Sequence, residues 1–159
     1  MEKAYYYAIE KHAGQMYGTD TYDVHLRGVV GIIARYTLDL ETIQAGWLHD
    51  VIEDTDATFN DVKQKFGNNV ALMVWACSGE GKNRKEKQAS IKDKLIMITR
   101  ACIVKAADRL ANIRRGIAEG NVSKLTMYEN EHDDFCKTVY GHIPYEMFLE
   151  LKNVVNERF

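Results

Sequence analysis

Proline is almost missing from this chain. Pro144 is the only one in 159 residues, beside 11 glycines. A β-sandwich or barrel of that length needs many tight turns, and turns draw on both residue types. One proline excludes such an architecture and points to long helices with few corners. Cysteine is scarce as well. Cys77, Cys102 and Cys136 are far apart, odd in number and form no C-x-x-C pair. That excludes a zinc knuckle and a disulfide framework. The three read as small buried hydrophobes in a reducing, cytoplasmic setting. Charge of one sign is lacking too: 21 Lys and Arg stand against 23 Asp and Glu, for a net charge of −2. No global basic field exists to hold a duplex, so nucleic acid is not an expected partner. Long apolar runs are also absent. The best, Ala71–Cys77, falls far short of a bilayer span, and no membrane association is expected. The start, Met1–Tyr7, lacks the basic region and apolar run of a signal peptide.

What is present suits one folded domain over residues 1–159. The hydrophobic fraction is 46% and the charged fraction 28%, enough apolar material for a core without staples. No internal repeat or Pro/Ser-rich linker divides the chain. Apolar residues recur at helical spacing over 3–12, 26–37, 41–52, 58–66, 69–78, 90–115 (one helix or two), 122–138 and 144–158. Asp39 and Thr58 are polar starts, Gly67 is a stop, and Pro144 suits a first helical turn. No strand or hairpin signal appears. These features predict a compact all-α fold. The stretch Gly79–Gln88 breaks the pattern, joining two glycines to Lys82, Arg84, Lys85 and Lys87. By composition it reads as a solvated, mobile loop; the other reading is a basic loop over an anionic ligand.

The densest polar cluster is His49-Asp50-Val51-Ile52-Glu53-Asp54, at the end of an apolar helix. On one helix, His49 and Glu53 lie a turn apart, as do Asp50 and Asp54. Four ionisable groups there need water, partners or a metal. On these residues alone, a solvated helix end and a metal site both stand open. His25 begins a core helix, and Asp108 lies within another. There, Lys105, Asp108 and Asn112 form a polar stripe at i, i+3 and i+7. Imidazole and carboxylate together suit Mn²⁺, Fe²⁺, Zn²⁺ or Co²⁺.

The order His…His-Asp…Asp on helices resembles the HD phosphohydrolase superfamily. His12-Ala13-Gly14-Gln15 with Tyr22-Asp23-Val24-His25 is similar to H-x-G-Q…Y-x-x-H. Trp47–Thr55 is similar to L-L-H-D-V-V-E-D-T, Phe66–Ala71 to F-G-x-x-V-A, and Lys105–Asn112 to K-L-A-D-R-L-x-N. These motifs are those of the hydrolase domain of the RelA/SpoT alarmone enzymes and their stand-alone Mesh-type relatives. The HD pair alone is weak; H-D-V-I-E-D-T with the other two motifs in order is strong.

The resemblance implies a single HD phosphohydrolase domain with His25, His49, Asp50 and Asp108 as ligands of a divalent metal, foremost Mn²⁺. It implies that Glu53 and Asp54 orient water and handle protons. Lys105 and Asn112 would line a nucleotide pocket. Arg84 and Lys85, with Gln88, would neutralise phosphate charge. His12 is read as a structural helix-end residue and Arg109 as a former of ion pairs. The family's Arg-Lys pair between the first His and the metal His is missing from Gln15–Tyr22, and its Pro after the metal His is Leu26. Tyr17 takes the Arg position, where it would stack on a base. The implied activity is hydrolysis of (p)ppGpp to GDP or GTP and pyrophosphate. Alternatives are phosphatase action on another nucleotide such as NADPH, or a non-catalytic nucleotide-binding module. The partner is a small-molecule nucleotide, and Tyr5, Tyr6 and Tyr7 offer an aromatic surface for a homo-oligomer.

Overall fold

In the computed structural model, which describes residues 2–157, eleven buried residues gather on one central helix. This is α8 (Ala101–Ala118), and it packs against four others. They are α2 (Tyr22–Ala34), α3 (Leu40–Leu48), α6 (Asn68–Cys77) and α9 (Val122–Val139). Ala106 and Ala107 are fully buried, and their small side chains let the surrounding helices crowd close. α1 (Glu2–Lys11) buries Ala4 and Ala8 against α3. α5 (Phe59–Phe66) begins in a capping box: Thr58 and Asp61 satisfy each other's backbone N–H. One apolar core runs from Ala4 to Val154. The three cysteines are free and buried within it, as expected. Among the described residues, no helix is long and apolar enough to cross a membrane.

The structure corrects several sequence boundaries. The expected helix over 41–52 is broken. α3 stops at Leu48, α4 (Val51–Asp54) starts afresh, and His49 and Asp50 form the turn between them. Apolar periodicity cannot see this break, because both pieces keep one buried face. A small antiparallel ribbon, β1 (Met16–Tyr17) with β2 (Asp20–Thr21), precedes α2. Strands of two residues are too short to show alternation. α2 starts at Tyr22 rather than 26, so His25 lies in its first turn. The 90–115 segment divides into α7 (Arg84–Met97) and α8. The supposed mobile loop is helical from Arg84 onward, because the Asn83 side chain accepts the Glu86 N–H at 3.0 Å and caps α7. Pro144 sits just ahead of α10 (Tyr145–Asn153) with extended backbone, and a 3₁₀ turn (Val154–Asn156) follows. The expected end at 158 lies outside the described residues. The tyrosine surface is also smaller than expected. Tyr5 packs edge-on to Trp47 and Tyr7 to Phe66, which leaves Tyr6 exposed.

Gly46 sets how closely α2 meets α3. A Cβ there would lie 2.6 Å from Ile33 Cδ1 and 3.2 Å from Val30 Cγ2. Close approach brings the C-terminal end of α3 to the first turn of α2.

The tail of the chain is tied down by Glu150 on α10. Its carboxylate accepts from Tyr36 Oη, from Arg35 at 2.7 Å and from Arg114 at 2.5 Å. Partial burial opposes the charge, but these three donors outweigh it and hold the carboxyl down at about 2 against an ordinary 4.5. A lowered folded-state pKa stabilises above the unfolded value and loses that stability as pH falls through the folded one. Glu150→Gln is therefore expected to lower the urea midpoint at pH 7 and to cost progressively less from pH 4.5 toward 2. An equal loss at both ends would show that the clamp does not depend on the charge.

Candidate active site

Three segments of the chain meet at one buried point. The first turn of α2 delivers His25, the α3–α4 turn delivers His49 and Asp50, and the middle of α8 delivers Asp108. The Nε2 atoms of His25 and His49 face each other at 3.3 Å. Asp108 Oδ1 lies 3.2 Å from His25 Nε2 and 3.6 Å from His49 Nε2. Ligand atoms of His25, His49 and Asp108 all lie within 4.8 Å of one another. Asp50 Oδ2 borders them, 2.9 Å from His49 Nε2 and 3.6 Å from His25 Nε2, and accepts the Tyr22 hydroxyl.

Burial disfavours charge on both imidazoles. Hydrogen bonds and attraction from Asp50 and Asp108 outweigh it and raise both above the ordinary histidine range. Burial likewise opposes the two carboxylates. The imidazoles, and for Asp108 also Lys105, hold them well below the usual range. Lys105 Nζ reaches Asp108 Oδ2 at 2.8 Å, and Asn112 Nδ2 donates to Asp108 Oδ1 at 2.6 Å. The polar stripe on α8 is thus a grip on one carboxylate. Positive charge concentrated between two buried carboxylates, with facing ring nitrogens, is what a divalent cation supplies without protons. The donor set fits such an ion. His49 Nδ1 donates to Gly46 O at 2.9 Å, an arrangement that leaves the Nε2 lone pair for a cation once the ring is neutral. The thiol of Cys77 is pushed up to about 12 by burial, so it stays neutral beside this cluster.

His25, Asp50 and Asp108 floor a cleft of about 470 Å³, within the usual range for small-ligand sites, and His49 is fully buried beside them. Glu53 and Asp54 stand on one wall, as their place after the ligand pair led us to expect. They are held differently. Glu53 accepts Lys87 Nζ at 2.9 Å and Gly79 N–H at 2.8 Å. Among the described residues, the one side-chain hydrogen bond to the Asp54 carboxylate is a long one from Gln15 Nε2, at 3.4 Å. Burial and the nearby Asp50 raise the Asp54 carboxyl above its ordinary value. The H-x-G-Q motif has a clear job here: His12 Nδ1 donates to Gln15 Oε1 at 2.7 Å, which aims the amide at Asp54. His12 is structural, as expected, and stacks on Tyr22.

Lys82, Arg84 and Lys87 stand opposite the acidic pair, and Lys105, Asn112 and Gln88 also line the cleft. Arg84 is engaged by a fork to Glu131, at 2.6 and 2.9 Å. Arg109 donates to Tyr128 O at 2.7 Å and lies over the Tyr128 and Phe135 rings. It also pairs with Glu131 at 3.4 Å, the ion-pair role foreseen for it.

Two expected residues are displaced. Lys85 does not line the cleft; it faces a neighbouring groove between α7 and α9. On a helix, Arg84, Lys87, Gln88 and Ile91 share one face, and position 85 is turned about 100° from 84. Tyr17 is not free to stack on a base. Its ring packs on His25 at 4.7 Å, its hydroxyl donates to Asn112 Oδ1 at 3.1 Å, and Arg115 and Lys124 lie over it. Sequence reasoning gave no role to Tyr22, and it placed Lys82 and Lys87 only in a basic loop over an anionic ligand, without a partner for either. Tyr22 stands three residues before His25, a helical spacing that offered a signal.

The HD domain pattern matches residues 4–131. The chain belongs to the HD domain family. It is 38% identical over 120 residues to a guanosine-3′,5′-bis(diphosphate) 3′-pyrophosphohydrolase of Aquifex aeolicus (strain VF5), covering 72% of this chain and 17% of that protein. It is 40% identical over 123 residues to the bifunctional (p)ppGpp synthase/hydrolase SpoT of Escherichia coli (strain K12), covering 72% and 18%. The chain thus spans less than a fifth of the length of these curated relatives. A solved structure described as a metazoan ortholog of SpoT that hydrolyzes ppGpp superposes with a TM-score of 0.83 at 26% identity. That match covers 99% of this chain and 94% of the other. The all-α HD fold expected from sequence is the fold observed.

The charge state of the cluster leads to a direct test. Against the cost of burial, the flanking Asp50 and Asp108 raise the His49 imidazole to about 10, so it carries a proton near neutrality, and a cation must displace it. Mn²⁺ binding followed by calorimetry in buffers of different ionisation heat is expected to release protons, and the apparent affinity to fall as pH drops from about 8 to 6. Binding without proton release would show that the cation sits elsewhere.

Proposed function

We propose that residues 1–159 form one HD phosphohydrolase domain that removes the 3′-pyrophosphate of (p)ppGpp, giving GDP or GTP. The observation that carries this reading is the meeting, in one cleft, of the His25–His49–Asp108 cluster, the Glu53–Asp54 pair and a wall of cations. The similarity to 3′-pyrophosphohydrolases supports the substrate class. In this reading His25, His49, Asp50 and Asp108 hold the cation, with Mn²⁺ the ion of choice. When bound, the cation supplies a water of lowered pKa and offsets phosphate charge.

Every other step falls to the chain. Asp54, loosely held and with a raised carboxyl, takes the proton of the attacking water. Glu53, fixed at both oxygens, orients that water. Arg84, Lys82 and Lys105 neutralise charge on the transferring pyrophosphoryl group. The water oxygen bonds to the 3′-linked phosphorus, the bond to the 3′ oxygen breaks, and that oxygen takes up a proton as pyrophosphate leaves. Asn112, whose carbonyl accepts from Tyr17, lines the nucleotide side. All these residues come from one chain, so the mechanism requires no second copy.

One observation favours a second reading. Where the alarmone hydrolases carry two cations, the ribbon presents Tyr17, packed on His25 and tied to Asn112. That change alters nucleotide recognition while leaving the hydrolytic groups in place. Another phosphorylated nucleotide, such as NADPH, is then the substrate.

A panel of purified nucleotides with Mn²⁺, scored for pyrophosphate and phosphate, separates the two. Pyrophosphate release from ppGpp is expected. His49→Ala and Asp54→Asn are each expected to lower kcat by about a hundredfold or more. Phosphate release from NADPH alone would transfer the assignment to the second reading. Unchanged activity in His49→Ala would overturn both.

A further inference from the structure

The basic segment between α6 and α7 does more than supply positive charge. Its backbone is fastened to α7. Lys94 is buried and donates to Ser78 O at 2.9 Å and to Glu80 Oε1 at 2.5 Å. Lys82 N–H donates to Glu86 Oε2 at 2.7 Å. The fastening is close enough to demand a glycine. A Cβ on Gly79 would lie 2.8 Å from Lys87 Cβ and 3.2 Å from Lys87 Cα, and the backbone of α7 cannot yield cheaply. This contact puts the Gly79 N–H and the Lys87 ammonium on the two oxygens of one carboxylate, Glu53, at 2.8 and 2.9 Å. Asp54, the next residue, has no such clamp.

We infer that Lys87 is a positioning residue for Glu53, and that Gly79 is a glycine so that Lys87 can reach it. The role rests on the hydrolase reading above, in which Glu53 orients the attacking water. Lys87 lines the cleft, so the rival role is direct binding of substrate phosphate. The two roles separate kinetically. A positioning residue acts on kcat, whereas a phosphate ligand used equally in ground and transition states acts on KM. Misplacing a group by about 1 Å costs up to about a hundredfold.

Lys87→Met keeps the aliphatic stem and removes the ammonium. It is expected to lower kcat on ppGpp by about ten- to hundredfold while KM changes by less than about threefold. Lys87→Arg should recover part of the loss. Gly79→Ala removes no charge and should lower kcat in the same way. A raised KM with unchanged kcat in Lys87→Met would make Lys87 a phosphate ligand and overturn the inference. A second measurement needs no turnover. The Glu53 carboxylate holds the Lys87 ammonium above its ordinary pKa. Reductive methylation followed by mass spectrometry should label Lys87 about two- to fivefold faster in Glu53→Gln than in the wild-type protein, matching the strength of a partly exposed ion pair. Equal labelling would show that the clamp is absent in solution. If the clamp is present and no nucleotide in the panel is hydrolysed, the hydrolase reading fails and the contact stands.

Discussion

Two imidazole nitrogens facing each other at 3.3 Å inside a protein core are the constraint around which this molecule is arranged. Neither ring can satisfy the other as protonation is raised on both, so the centre must be balanced by Asp50 and Asp108. Those carboxylates in turn need partners. Lys105 and Asn112 hold Asp108, and Tyr22 holds Asp50. Such a network is costly to build and gains its value from what binds in it. Removing one member leaves a buried charge unmatched, which explains why Lys105, Asp108 and Asn112 share one face of α8.

The fold serves this centre through a few local features. Gly46 lets α2 and α3 approach, which brings His25 to His49. The break after Leu48 turns His49 inward while Asp54, a turn later, faces the cleft. On the far side, the clamp between Gly79 and Lys87 sets the distance between acidic and basic walls. The acidic pair is thereby divided into one fixed and one loosely held carboxylate. Two neighbouring carboxyl groups in unlike surroundings are a common route to separate roles in one reaction.

Much of this was legible in the sequence. Proline scarcity and apolar periodicity gave the helical class, and His25, His49, Asp50 and Asp108 were named from motif order. The break at His49–Asp50 was hidden because Ile43, Leu48 and Val51 keep an unbroken apolar rhythm across it. The ribbon at 16–21 was too short to register. The stretch 79–88 misled by composition, since glycines and lysines usually mean a solvated loop. Its order comes from tertiary contacts, Lys94 to Ser78 and Gly79 to Lys87, that no local pattern encodes. Lys85 and Tyr17 show the other limit. A motif match gave residue types, whereas helix phase and packing decided where each side chain went.

In the proposed mechanism, His25 and His49 together hold a divalent cation. Electron spin echo spectroscopy of the Mn²⁺-loaded protein tests it most directly. Nitrogen couplings from two imidazoles are predicted, with one lost in His25→Ala and one in His49→Ala. A spectrum of Mn²⁺ coupled only to water protons and carboxylates, unchanged in either variant, would contradict the account.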